Sequence, residues 1–98
     1  MILVRDVLKI APDHMKEAKQ LAKETREMSK RKGGAEILLM TDLTGNFYSL
    51  VMESRYDSLS HYEESMKRVM SSKEFQKSYP KLRKFVRGGQ REIFSIVE

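Results

Sequence analysis

Seven residues have types and settings that could do chemistry: Asp6, Ser49, Glu53, Arg55, His61, Tyr62 and Arg91. Asp6 lies within ILVRDVLKI and Glu53 within NFYSLVMES, so each acid is set among apolar residues. A carboxylate in that setting can act as a general base toward an activated carbon or a phenol, and His61 and Tyr62 add two further groups able to move a proton. Arg55 and Arg91 could hold an anion, and Ser49, between Tyr48 and Leu50, could contact a ligand. An alternative reading of the same residues pairs each acid with Arg5, Arg55 or Arg91 in a structural ion pair and makes His61 a cap.

Other chemistries are excluded or weakened by composition. The 98 residues contain no cysteine, which removes thiolate metal sites, disulfides and Cys nucleophiles. His14 and His61 are far apart, and no ligand spacing links either to paired carboxylates, so neither a metal nor a cofactor is expected. Gly33–Gly34 and Gly88–Gly89 match no phosphate-cradling pattern. The net charge is +5. It is carried by residues 12–32 and 58–87, which read as helices with solvated Lys/Arg faces. Arg5, Asp6 and Lys9 interrupt the first apolar run, and no later run approaches membrane-spanning length. A cytoplasmic protein with no membrane partner is expected.

The elements that must position these residues follow from periodicity. Residues 2–10 alternate as a strand, with Ile2, Val4, Asp6, Leu8 and Ile10 on one face and Leu3, Arg5, Val7 and Lys9 on the other. Pro12 suits a helix start, Met15, Ala18, Leu21, Ala22, Thr25 and Met28 form a helical stripe, and Gly33–Gly34 end it. Residues 35–42 and 46–54 read as strands of a hairpin around Leu43-Thr44-Gly45. Asp57 or Ser58 can cap a second helix, which the Ser-x-x-Glu pattern of Ser71–Glu74 predicts to break and restart; Pro80 predicts a kink or an end. Gly88–Gly89 then lead into a last strand, QREIFSIVE. The six internal methionines fall on the apolar stripes and read as core. The result is one α+β domain over residues 1–98, with the ferredoxin-like order β-α-β-β-α-β and an antiparallel sheet. Strands that are apolar on both faces predict that the sheet face without helices is covered by a second copy, giving a homodimer.

This order, the third strand ending in Glu53-Ser54, the helix start Tyr56-Asp57-Ser58-Leu59, the Tyr62-Glu63 pair, and Ser72-Lys73-Glu74-Phe75 ahead of a Gly-preceded strand resemble the dimeric α/β-barrel superfamily. Within it the chain is most similar to NIPSNAP-like and antibiotic-biosynthesis-monooxygenase-like small proteins. The resemblance implies two sheets facing each other as a barrel, helices outside, and a pocket between sheet and helices in each subunit. It implies a cofactor-independent monooxygenase-like enzyme acting on a small apolar or aromatic ligand, or a non-catalytic ligand-binding or structural dimer. The haem-degrading branch fits poorly: its Asn, Trp and late His have no counterparts in this chain. An RNA-binding reading of the same strand order also fits poorly, because GNFYSLVM lacks the basic residue and aromatic spacing of the expected motif and the first strand has no aromatic.

Overall fold

A computed structural model describes residues 1–98. The elements are β1 (Ile2–Ile10), a short 3-10 turn (Pro12–His14), α1 (Met15–Arg31), β2 (Ile37–Thr41), β3 (Ser49–Tyr56), α2 (Leu59–Met70), α3 (Lys73–Arg83) and β4 (Val86–Ser95). The sheet order is β2-β3-β1-β4 and every pairing is antiparallel, so the α+β ferredoxin-like expectation holds. No helix is long and apolar enough to cross a membrane.

The alternation of β1 decides which face is covered. Val4 and Ile10 on its even side are buried, as are Leu50 and Tyr56 on the matching side of β3. Against this face α1 sets Ala18 and Ala22, whose small side chains let the helix approach the strands until both are fully buried. Tyr56 and Tyr62 meet edge to face at 5.1 Å, tying α2 to β3. The odd side of β1 and its counterparts carry Leu3, Val7, Leu38, Met40, Val51 and Phe94 with no helix above them, and Leu38 is 57% exposed.

Helix boundaries follow local chemistry. Ser58 caps α2, accepting from the His61 amide at 3.1 Å, and Ser72 caps α3, accepting from the Phe75 amide at 3.2 Å. The break between α2 and α3 is therefore where Ser71–Glu74 predicts it, with the cap one residue later. Glu74 is drawn instead to Arg31 of α1 at 2.5 Å, and this bond holds its carboxyl below the usual range. Gly33 takes a left-handed φ of 73° just past α1, the conformation a helix end favours in glycine.

Several local expectations need correction, in whole or in part. The β2–β3 loop covers residues 42–48, so Phe47 and Tyr48 leave the strand despite their β-propensity and stand exposed. β3 runs on to Tyr56, which places Glu53 and Arg55 inside the strand rather than at its end. Of the kink or end expected at Pro80, the end does not occur, since Pro80 lies inside α3. Gly88 and Gly89 belong to β4, and a Cβ on Gly89 would come within 2.5 Å of the Val7 carbonyl oxygen: glycine there permits close strand approach. Of the methionines, Met40 and Met70 are exposed and do not contribute to the core.

Candidate functional site

The register of β1 and β4 sets Asp6 directly opposite Arg91 on the helix-covered face. Arg91 donates from Nε to Asp6 Oδ1 at 2.6 Å and from Nη2 to Oδ2 at 3.3 Å, a two-pronged pair. The Asp6 carboxylate holds the guanidinium above its already high pKa. Over this pair α2 brings Tyr62, which is only 8% exposed. Burial pushes the Tyr62 phenol pKa up, and the opposing pull of Arg91 does not cancel it.

Asp6, Arg91 and Tyr62 share a cavity of about 360 Å³ between the sheet and the helices, and eleven of its nineteen lining residues are aliphatic or aromatic, the tyrosines included. Val4, Met52 and Met66 supply apolar wall, while Tyr79 of α3 joins the polar side. Phe75 and Tyr79, one helical turn apart on α3, stack at 5.1 Å and form another aromatic wall. A larger concavity of about 680 Å³ runs beside β2, but it is an open groove lined by Arg26, Glu27, Lys30, Glu36, Glu53 and Arg55 with only two apolar residues among its ten. Ligand sites typically combine apolar and aromatic walls with a few converging polar groups, which favours the smaller cavity.

The seven residues singled out from sequence therefore divide. Asp6, Tyr62 and Arg91 converge on the cavity. Glu53 and Arg55 line the outer groove, and Glu53 accepts from Arg5 Nε at 2.7 Å. His61 is exposed in the first turn of α2, where its Nδ1 accepts from the Asp57 amide at 3.4 Å and its ring stands edge-on to Tyr56 at 5.7 Å. Ser49 begins β3 opposite Lys9, and its amide donates to Asp42 Oδ1 at 2.8 Å. Neither His61 nor Ser49 lines the cavity. Tyr79, Ser54 and Ser65 do line it and escaped the sequence reading. Phe75, Tyr79 and Leu82 recur at helical spacing, and a phenol on that apolar stripe is the signal the sequence offers. No three His, Asp or Glu side chains converge as a metal-ligand group.

The comparisons with known proteins bear on the family and the fold. A model of the NIPSNAP family matches residues 6–98. The chain belongs to the NIPSNAP family. Solved NIPSNAP structures share its fold: an uncharacterised NIPSNAP domain protein from Burkholderia xenovorans superposes with a TM-score of 0.88 at 15% identity, covering 99% of this chain and 95% of that one. A NIPSNAP family protein from Agrobacterium tumefaciens gives 0.90 at 16% identity, covering 99% and 86%. An antibiotic biosynthesis monooxygenase gives 0.81 at 15% identity with full coverage of both chains. No curated protein matches the chain. At these identities the structural likenesses establish the fold of this NIPSNAP chain and leave its chemistry to its own residues.

Proposed function

We propose that this NIPSNAP protein forms a homodimer through its open sheet face and binds, in each helix-side cavity, a small aromatic or apolar molecule bearing an ionisable oxygen. The observation that carries this reading is the meeting of Asp6–Arg91 and Tyr62 in a largely apolar cavity of about 360 Å³, within the size range of small-molecule sites. Arg91 spends two of its five N–H donors on Asp6, and the others remain for a ligand oxyanion. The Tyr62 phenol, protonated at neutral pH as tyrosines ordinarily are and with its pKa raised further by burial, is a second donor. The apolar open face of the sheet supports the dimer: Leu38, Met40, Val7, Val51 and Phe94 form a surface that a second copy could bury.

Calorimetric titration with naphthalene-sized ligands, namely 2-naphthoate, 2-naphthol and a neutral naphthalene derivative, tests the binding reading. The acid and the phenol bind and the neutral compound binds more weakly; Ser54→Trp, which fills the cavity, abolishes binding while the dimer persists. Failure of all three to bind, or binding indifferent to Ser54→Trp, overturns the reading.

The fold shared with an antibiotic biosynthesis monooxygenase favours one catalytic extension. A phenol bound as its phenolate beside Arg91 can give electrons to O₂ directly, so that phenol plus O₂ yields a quinone and one water without a cofactor. Because Arg91 engages both Asp6 oxygens, the pair is better arranged to hold the oxyanion than to abstract the proton. Oxygen uptake with naphthol substrates, lost in Arg91→Ala, supports the extension; binding without uptake leaves a ligand-binding protein.

A further inference from the structure

The end of the sheet where β1 finishes and β3 begins combines protruding apolar groups with unpaired positive charge. Leu43, Phe47 and Tyr48 are 93%, 60% and 45% exposed. They stand on the 42–48 loop, which is anchored at its base: the Ser49 amide donates to Asp42 Oδ1 at 2.8 Å, and the Ile10 amide donates to the Tyr48 carbonyl at 2.9 Å. The loop is thus held against the end of β1, with its large side chains turned outward.

At the same end α1 begins and α3 finishes. The Ala11 amide donates to the Phe85 carbonyl at 2.8 Å, and His14 stacks on the Phe85 ring at 4.7 Å. Lys16, Lys81 and Lys84 surround one shallow depression next to Phe85. Lys9 lies opposite Ser49 and Gly88, and Arg87 follows at the start of β4. None of these five cations takes part in an ion pair. Of the three nearby acids, Glu17 faces His14 at 2.7 Å, Asp42 is occupied by the Ser49 amide, and Asp13 sits in the turn before α1.

We infer that this end docks on an anionic lipid surface, with Leu43, Phe47 and Tyr48 entering the headgroup region and Lys9, Lys16, Lys81, Lys84 and Arg87 facing the lipid phosphates and carboxylates. Exposed aliphatic and aromatic side chains ringed by Lys and Arg match the two components of such binding, buried apolar area and attraction to acidic headgroups. Charge complementarity alone would fit a nucleic acid, but phosphate binding leaves Leu43 and Phe47 without a role. Such docking goes beyond the expectation of no membrane partner, which rested on the charges in the first apolar run and on the length needed to span a bilayer. It is independent of the cavity.

Co-sedimentation with phosphatidylcholine vesicles, with and without phosphatidylserine, tests it. The wild-type protein binds only the phosphatidylserine vesicles. Leu43→Ser with Phe47→Ser, and separately Lys81→Glu with Lys84→Glu, each lower partitioning about tenfold or more. Lys30→Glu with Lys73→Glu, an equal charge change at the far ends of α1 and α3, leaves most of the binding, and circular dichroism melts of all variants confirm folding. The inference is overturned by absence of wild-type binding at low salt, by equal loss in the Lys30/Lys73 variant, or by undiminished binding in the Leu43/Phe47 variant. Conversion of the protein from dimer to monomer by the loop substitutions also overturns it, because the loop would then belong to the contact between copies.

Discussion

Arg5 and Asp6 are neighbours in the chain and point to opposite faces of the sheet, and each meets the opposite charge across a strand. Arg5 pairs with Glu53 of β3 on the open face, and Asp6 pairs with Arg91 of β4 on the helix side. The surroundings differ more than the pairs do. Asp6–Arg91 looks into a cavity walled by α2 and α3, and Tyr62 adds a polar donor there. Arg5 instead lies 5.3 Å from the Phe94 ring centroid, with Glu92 opposite it on β4 and no helix above it. The Asp6–Arg91 pair faces a cavity rich in apolar and aromatic groups, whereas Glu53 of the other pair lines the wide, mainly charged groove beside β2 and Arg5 lies on the face without helices. What each pair can do is set by what is packed over it, since the ion-pair chemistry is shared.

The comparison breaks first at the open face. Val51→Glu should weaken a dimer about a thousandfold or more, because the contact would bury two unpaired carboxylates. Analytical ultracentrifugation reads this, and an unchanged association would show that the open face is not the contact.

Next comes the contrast between covered and open leucines. Leu50→Ala should cost about 2–5 kcal/mol in chemical denaturation, since Leu50 is packed in the core under α1. Leu38→Ala should cost about 0.5 kcal/mol or less in the monomeric Val51→Glu background and clearly more in the dimer. Equal small costs in both backgrounds would leave the open face uncovered.

Two adjacent glycines of β4 sharpen the comparison further. Gly89→Ala forces a Cβ against the Val7 carbonyl and should cost about 1–3 kcal/mol. A Cβ on Gly88 meets nothing within 4 Å, so Gly88→Ala should lie within about 0.5 kcal/mol of wild type. Thermal melts compare them directly.

Arg91→Ala should weaken an aromatic acid about tenfold or more, while Arg5→Ala should leave its affinity unchanged and act on dimerisation. Equal loss in both variants would erase the distinction between the faces.

The smallest effect is a pH dependence. The Tyr62 pKa is raised in the fold by burial, so the neutral phenol contributes stability that is fully present below the unfolded tyrosine value of 10.0. That stability is lost as pH climbs through 10.0 toward the higher folded value, because the unfolded chain gives up its proton first. Tyr62→Phe should flatten this alkaline decline. An identical slope in both proteins would place the titration elsewhere.

Much of this arrangement is legible in the chain. The alternation in ILVRDVLKI assigns Arg5 and Asp6 to different faces, and Pro12, Gly33 and Ser58 mark helix ends, while the Ser71–Glu74 pattern marks the second break with the cap itself one residue later at Ser72. The pairing of Asp6 with Arg91 is not: it joins residues 85 positions apart, and the sequence offers several arginines as partners. Phe47 and Tyr48 mislead because their strand propensity is outweighed by the Asp42 and Tyr48 bonds that close a longer loop. Gly88–Gly89 mislead because glycine that usually ends an element here lets β4 press against β1.

The most direct test of the central claim is a native mass spectrum of the protein mixed with 2-naphthoate, beside the Ser54→Trp variant. The expected spectrum shows a species of twice the 11.5 kDa subunit mass carrying one ligand per subunit, and a Ser54→Trp dimer without ligand. A bare monomer, or a dimer whose ligand survives Ser54→Trp, would contradict the claim.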